Sequence, residues 1–155
     1  ANFLDHAMGQ PEPAAAAYEA ALAVCPQHIL ALNNYAALLI EQARTDPAGT
    51  GAGLLGKASQ LLEQAEALAP GFPAYNLACL SALAGNQPGT ERWLRAAYSG
   101  DGFDGLPAAG DLAEDDDLQG VAGTAWFGAL VKEISEAEQK GERLARSDAP
   151  CEMEI

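Results

Sequence analysis

Small, bulky and polar residues recur along this chain at helical spacing, and two stretches share one pattern. Ala14, Tyr18, Ala21 and Pro26 stand at steps of 4, 3 and 5, and Ala58, Leu62, Ala65 and Pro70 repeat those steps. Steps of three and four place side chains on one helical face. Small residues on that face let a neighbouring helix approach closely, and the bulky residue fills the gap between them. Proline then ends the helix, because it has no N–H and disfavours helix in the residue before it. A packing pattern used twice predicts stacked helical repeats.

The same reading predicts antiparallel helix pairs along most of the chain. Residues 1–8 read as the tail of a helix broken at Gly9 and Pro11, and residues 12–25 as its partner. A helix over 28–43 carries Leu30, Leu32, Tyr35, Leu38 and Leu39 on its apolar faces. The Gly- and Pro-rich stretch Thr45–Gly53 reads as a loop before a helix over 54–69. A third pair, 73–84 and 89–99, turns around Gly85, Asn86 and Pro88. Beyond Tyr98 the pattern stops. A short helix over 107–118 and a longer one over 124–146 follow, the latter apolar at Trp126, Phe127, Leu130, Val131 and Ile134 and charged over Glu136–Arg146. Residues 147–155 read as a disordered tail. Three regions result: repeats over 1–99, a closing segment over 100–146, and the tail.

Composition narrows the class. In 155 residues, apolar types make up 49% and aromatics only 6%, so alanine and leucine dominate and favour helix over strand. That length supports one domain with a substantial core. No apolar run approaches the ~20 residues that span a bilayer. The chain begins at Ala1 with a first helix that looks cut short, which reads as a fragment of a longer protein. A net charge of −14, from 22 acidic and 8 basic residues, repels phosphate backbones and anionic membranes. A neutral or basic protein surface is compatible with that field. Cys25, Cys79 and Cys151 are dispersed and odd in number, which suggests neither zinc nor a disulfide framework and fits a reducing cytoplasm.

The repeats resemble the tetratricopeptide repeat, a helix–turn–helix unit of about 34 residues. Tyr35-Ala36 and Leu77-Ala78 match that family's first-helix pair, Gly9 and Gly85 its turn glycine, and the residues of the opening pattern, with Leu94 and Ala97, its second helix. The likeness covers roughly residues 1–99, as two full units and one truncated at its start. Leu32 and Ala74 replace the usual first-helix tryptophan, the second unit carries a loop about ten residues longer than the family's, and Thr90 and Gly102 replace a small residue and the proline in the third. The segment around Asp117-Leu118 and Trp126-Phe127…Leu130 is similar to a closing segment of some bacterial repeat proteins of this type. The resemblance implies an all-α fold, a right-handed superhelix of antiparallel helix pairs with a C-terminal capping helix.

The resemblance also implies a binding groove on the concave face. Asn34 and Asn76 occupy one place in successive units, where family members hydrogen-bond a peptide backbone; a carboxamide offers donor and acceptor together. The other groove positions are Leu30, Asn33, Ala37, Ile40 and Glu41 in one unit and Phe72, Tyr75, Cys79 and Leu83 in the next, with Phe3 and His6 in the truncated unit. This face is apolar and lacks the lysines and arginines with which the family clamps acidic chaperone C-termini. An apolar or amphipathic segment of a protein partner suits it better.

Other motifs carry less. Gly51–Lys57, GAGLLGK, satisfies both G-x-G-x-x-G and G-x-x-x-x-G-K, but no strand precedes it and Ala58 stands where a hydroxyl residue would bind magnesium. It reads as a flexible insertion leading into a helix. The run Glu114–Asp117, with Asp101 and Asp104 nearby, lacks the alternation of a calcium loop and reads as helix capping. His6 and His28 have no nucleophile at motif spacing, and Cys79 has no basic neighbour in sequence, so it reads as inert packing. The expectation is therefore no catalysis, metal or cofactor, and protein–protein interaction through the groove. The alternatives are a self-associating structural domain and the accessory domain of a larger enzyme.

Overall fold

The computed structural model describes residues 11–46, 49–100 and 105–144. Phe3, His6, Gly9, Gly102, Cys151 and the predicted helix and tail at the two ends lie outside them. Among the described residues the chain is all-helical, with no strand. It divides into two compact units between Asn76 and Leu77.

The first unit contains α1 (Pro11–Val24), α2 (Ile29–Thr45), α3 (Gly51–Leu68) and the first turn of α4 (Ala74–Leu83). α1 packs on α2 and α2 on α3. The repeated pattern lies where interior packing requires it: Ala14, Tyr18, Ala58, Leu62 and Ala65 are buried, and Ala21 is half-buried. α2 buries Leu32, Tyr35, Ala36 and Leu39, and the Tyr35 ring stacks on Tyr18. His28 is the N-cap of α2, its Nδ1 accepting the Ala31 N–H at 3.2 Å. This satisfies an amide that has no partner inside the helix.

The loop between α2 and α3 is shorter than the predicted Thr45–Gly53. α2 runs to Thr45 and α3 begins at Gly51, so GAGLLGK forms the first two turns of a helix and not a flexible insertion. Two features hold this start in place despite the low helix propensity of glycine. The Asp46 carboxylate accepts from both the backbone N–H and the hydroxyl of Thr50. At Gly51 the backbone comes so close to α2 that a Cβ would stand 3.1 Å from the Ala43 carbonyl oxygen.

The second unit contains the rest of α4, then α5 (Gln87–Ser99), α6 (Ala109–Ala113), a 3₁₀ turn (Asp116–Leu118), α7 (Gln119–Ala122) and α8 (Ala125–Lys140). α8 packs against α5, α6 and α7. Trp93, Leu94, Tyr98, Leu112, Leu118, Phe127, Leu130 and Ile134 make the core, while Trp126 is half-buried and meets Phe127 edge-on. Thr90, which departs from the small-residue pattern, is fully buried. Its hydroxyl donates to the Asn86 carbonyl at 2.8 Å, so a polar atom enters the core already bonded.

Two predicted helices change here. The helix over 107–118 is broken, because the Asp115 carboxylate accepts the Asp117 N–H at 2.9 Å and diverts the backbone into the 3₁₀ turn. The helix over 124–146 stops at Lys140, because Gly141 takes φ 66° and its N–H and that of Glu142 return to Glu138 and Ala137. Within its charged part Glu138 is half-buried and accepts the Ala109 N–H at 3.0 Å, and ahead of that part the exposed Glu133 binds Arg95 at 2.9 Å.

Candidate functional site

Nine of the eleven expected groove residues belong to the first unit, and Cys79 and Leu83 belong to the second. On α2, Leu30, Asn33, Asn34, Ala37 and Glu41 follow one another at steps of three, one, three and four, which keeps them on one side of the helix. Leu30 is 55% exposed, and Phe72, in the turn before α4, is 45% exposed. Asn33, Asn34, Ala37, Tyr75 and Asn76 are half-buried and Glu41 is exposed. Leu83, in the second unit, is half-buried.

Ile40 and Cys79 correct the expectation. At 1% and 2% exposed they are core residues and present no surface to a peptide in the groove. Ile40 stands one residue before Glu41, a turn of 100° that carries it from the outer side of α2 to the inner one. Burial also pushes the Cys79 thiol well up from its ordinary pKa, and the charges of Asp115 and Asp117 push it further.

The two asparagines of the expected site do not act alike. Asn76 Nδ2 donates to Asn33 Oδ1 at 2.9 Å and to the Asn33 carbonyl at 3.3 Å, and Asn33 Nδ2 reaches Asn34 Oδ1 at 3.5 Å. The result is a ladder of three carboxamides from the first turn of α4 onto α2. Asn76 thus spends its donor inside the unit, where the family resemblance implies a bond to a ligand. Asn34 stands at the end of the ladder.

Comparison with family models, curated proteins and solved structures finds no match. The chemistry of the site therefore rests on its own residues.

A second polar cluster in the first unit escaped the sequence reading. The Tyr35 hydroxyl donates to Glu19 at 2.5 Å, and Lys57 Nζ donates to Glu19 at 2.8 Å and to the Tyr35 oxygen at 2.7 Å. The Lys57 ammonium lies 4.7 Å from the Tyr35 ring centroid, and the ring stacks on Tyr18 at 5.9 Å. One residue from each of α1, α2 and α3 meets here. Lys57 and then Tyr35 hold the Glu19 carboxyl below its ordinary pKa. Glu19 and then Tyr35 hold the Lys57 ammonium above its own. Burial, then Glu19, raises the Tyr35 phenol. No local motif announces this cluster. Its one trace in the sequence is Lys57, one of three lysines in an acidic chain, placed at the end of GAGLLGK.

No helix among the described residues is long and apolar enough to cross a membrane.

Proposed function

We propose that this chain is a protein–protein interaction module of the tetratricopeptide type, taking a peptide or short helix with an apolar segment along the outer side of α2. One observation carries the reading: two exposed apolar side chains, Leu30 and Phe72, accompany the Asn76–Asn33–Asn34 ladder in the first unit. Covering such side chains contributes about 25 cal/mol per Å² of apolar surface removed from water. Carboxamides beside them supply the hydrogen bonds that a peptide backbone needs. Asn76 offers its Oδ1 as an acceptor, its Nδ2 being taken by Asn33. The net charge of −14 favours a partner surface that is neutral or basic. The reading assigns binding and no catalysis.

Selection from a randomised-peptide display library on the immobilised chain tests it. We expect an apolar consensus whose binding to Leu30→Asp and to Phe72→Ser is weaker by about tenfold or more. Melting should not change in either variant, because both side chains are exposed. Unchanged binding in both variants overturns the reading. Sedimentation showing a dimer that both variants dissolve would replace it with self-association.

A further inference from the structure

The second unit brings together three side chains that no sequence motif joins. Cys79 Sγ and one carboxylate oxygen each of Asp115 and Asp117 all lie within 4.8 Å of one another. Cys79 comes from α4. The two aspartates come from the turn after α6, where Asp115 Oδ1 accepts the Asp117 N–H and so fixes one carboxylate against the other's backbone. Leu118, fully buried, anchors that turn, and Gln119 Nε2 donates to the Asp115 carbonyl at 3.1 Å. At Gly120 a Cβ would stand 3.8 Å from the Ala82 carbonyl oxygen, so the start of α7 lies directly against α4.

We propose that Cys79, Asp115 and Asp117 form a binding site for a divalent transition-metal ion, zinc by preference. The thiol is an observation independent of the carboxylate pair. It belongs to another helix, is free of any disulfide, is 2% exposed, and faces both carboxylates. Two carboxylates converging on a buried thiol oppose its ionisation, and a dication at their centre reverses that balance. One sulfur and two oxygens form a borderline donor set. It suits zinc or cobalt, whereas calcium and magnesium take oxygen alone. Tetrahedral ligands at ~2.0–2.3 Å from zinc stand about 3.5 Å apart, so separations within 4.8 Å need close by no more than about 1.3 Å on binding. Asp115 and Asp117 are half-buried, less enclosed than Cys79 at 2% exposed. As the Zn–S bond forms the S–H bond breaks, and the proton leaves to solvent. A fourth position stays open to water. The site lies within the second unit and does not depend on the peptide reading.

Cobalt(II) titration of the full chain carrying Cys25→Ser and Cys151→Ser tests the site, since Cys79 is then the one thiol of three left. We expect a thiolate-to-cobalt charge-transfer band that saturates at one equivalent and is displaced by zinc. Asp115→Asn and Asp117→Asn should each weaken cobalt binding by about tenfold or more, and Cys79→Ser should abolish the band. Absence of the band at saturating cobalt overturns the proposal. So does a band whose affinity is the same in both aspartate variants. If Cys79→Ser does not fold, zinc protection of Cys79 from a small alkylating reagent in the one-thiol chain, lost in Asp117→Asn, supports the site; no protection overturns it.

Discussion

Asn76, in the first turn of α4, donates its carboxamide to Asn33 on α2 across 2.9 Å. The pair are 43 positions apart, and their bond joins two helices within the first unit. Asn34 stands beside Asn33 and adds only the long end of the ladder, at 3.5 Å. Neighbouring asparagines therefore have different roles. Asn76→Ala should lower stability to urea by about 1 kcal/mol, through the lost bond and the acceptors left on Asn33. Asn34→Ala should stay within about 0.5 kcal/mol of the parent. Equal losses in the two variants would show that the ladder is not what ties α4 to α2.

The Glu19–Tyr35–Lys57 cluster predicts how stability varies with pH. The folded Glu19 has a lowered pKa, so its contribution is present above the ordinary carboxylate value and is lost as pH falls through the folded one. The folded Lys57 and Tyr35 have raised pKa values. Their contributions are present below the ordinary values and are lost as pH rises through the folded ones. Melting followed between about pH 5 and about pH 3 should therefore fall less steeply in Glu19→Gln than in the parent. Parallel curves would mean that the cluster does not couple to folding.

The small–bulky–small pattern makes a counter-intuitive prediction. Ala58 is fully buried against its neighbours, so Ala58→Leu adds apolar surface but has no room for it. The expected cost is about 1–3 kcal/mol of overpacking. Leu62→Ala, one turn further along, should cost about 2–5 kcal/mol through the cavity it leaves. Chemical denaturation of both variants measures the two effects. If Ala58→Leu were stabilising, close helix approach would not be the reason for alanine there.

Gly141 ends α8 at φ 66°, in the left-handed region, and a Cβ there would meet nothing within 4 Å. Gly141→Ala thus isolates backbone strain from crowding. It should cost about 1–2 kcal/mol, seen as a lower denaturation midpoint with unchanged slope. No change in midpoint would mean that α8 runs on beyond Lys140 at little cost.

What could be read along the chain was local. Helix positions came from spacing that repeats within one or two turns, and Pro26, Pro70 and Gly85 mark ends because their own backbone chemistry acts where they stand, whereas the end at Gly141 fell inside a helix expected to run on to residue 146. The pattern of Ala14, Tyr18, Ala58, Leu62 and Ala65 identified interior positions for the same reason. The face of α2 that carries Leu30, Asn33, Asn34 and Ala37 came from the register of the family resemblance, which also placed the buried Ile40 on it. Local reading failed where side chains competed with the backbone. The Asp115 carboxylate broke a predicted helix, and the Asp46–Thr50 bonds started another early.

Tertiary structure alone decided which distant residues meet. Asn33 with Asn76, Glu19 with Lys57, and Cys79 with Asp115 and Asp117 are separated by dozens of positions. Each meeting depends on how far a helix is rotated about its own axis and how closely it approaches its neighbour. A rotation of 100° separates exposed Glu41 from buried Ile40, and the sequence sets no such angle by itself. That angle is settled when the small residues of one helix admit the bulky residues of the next. Core packing thereby places the polar groups as well.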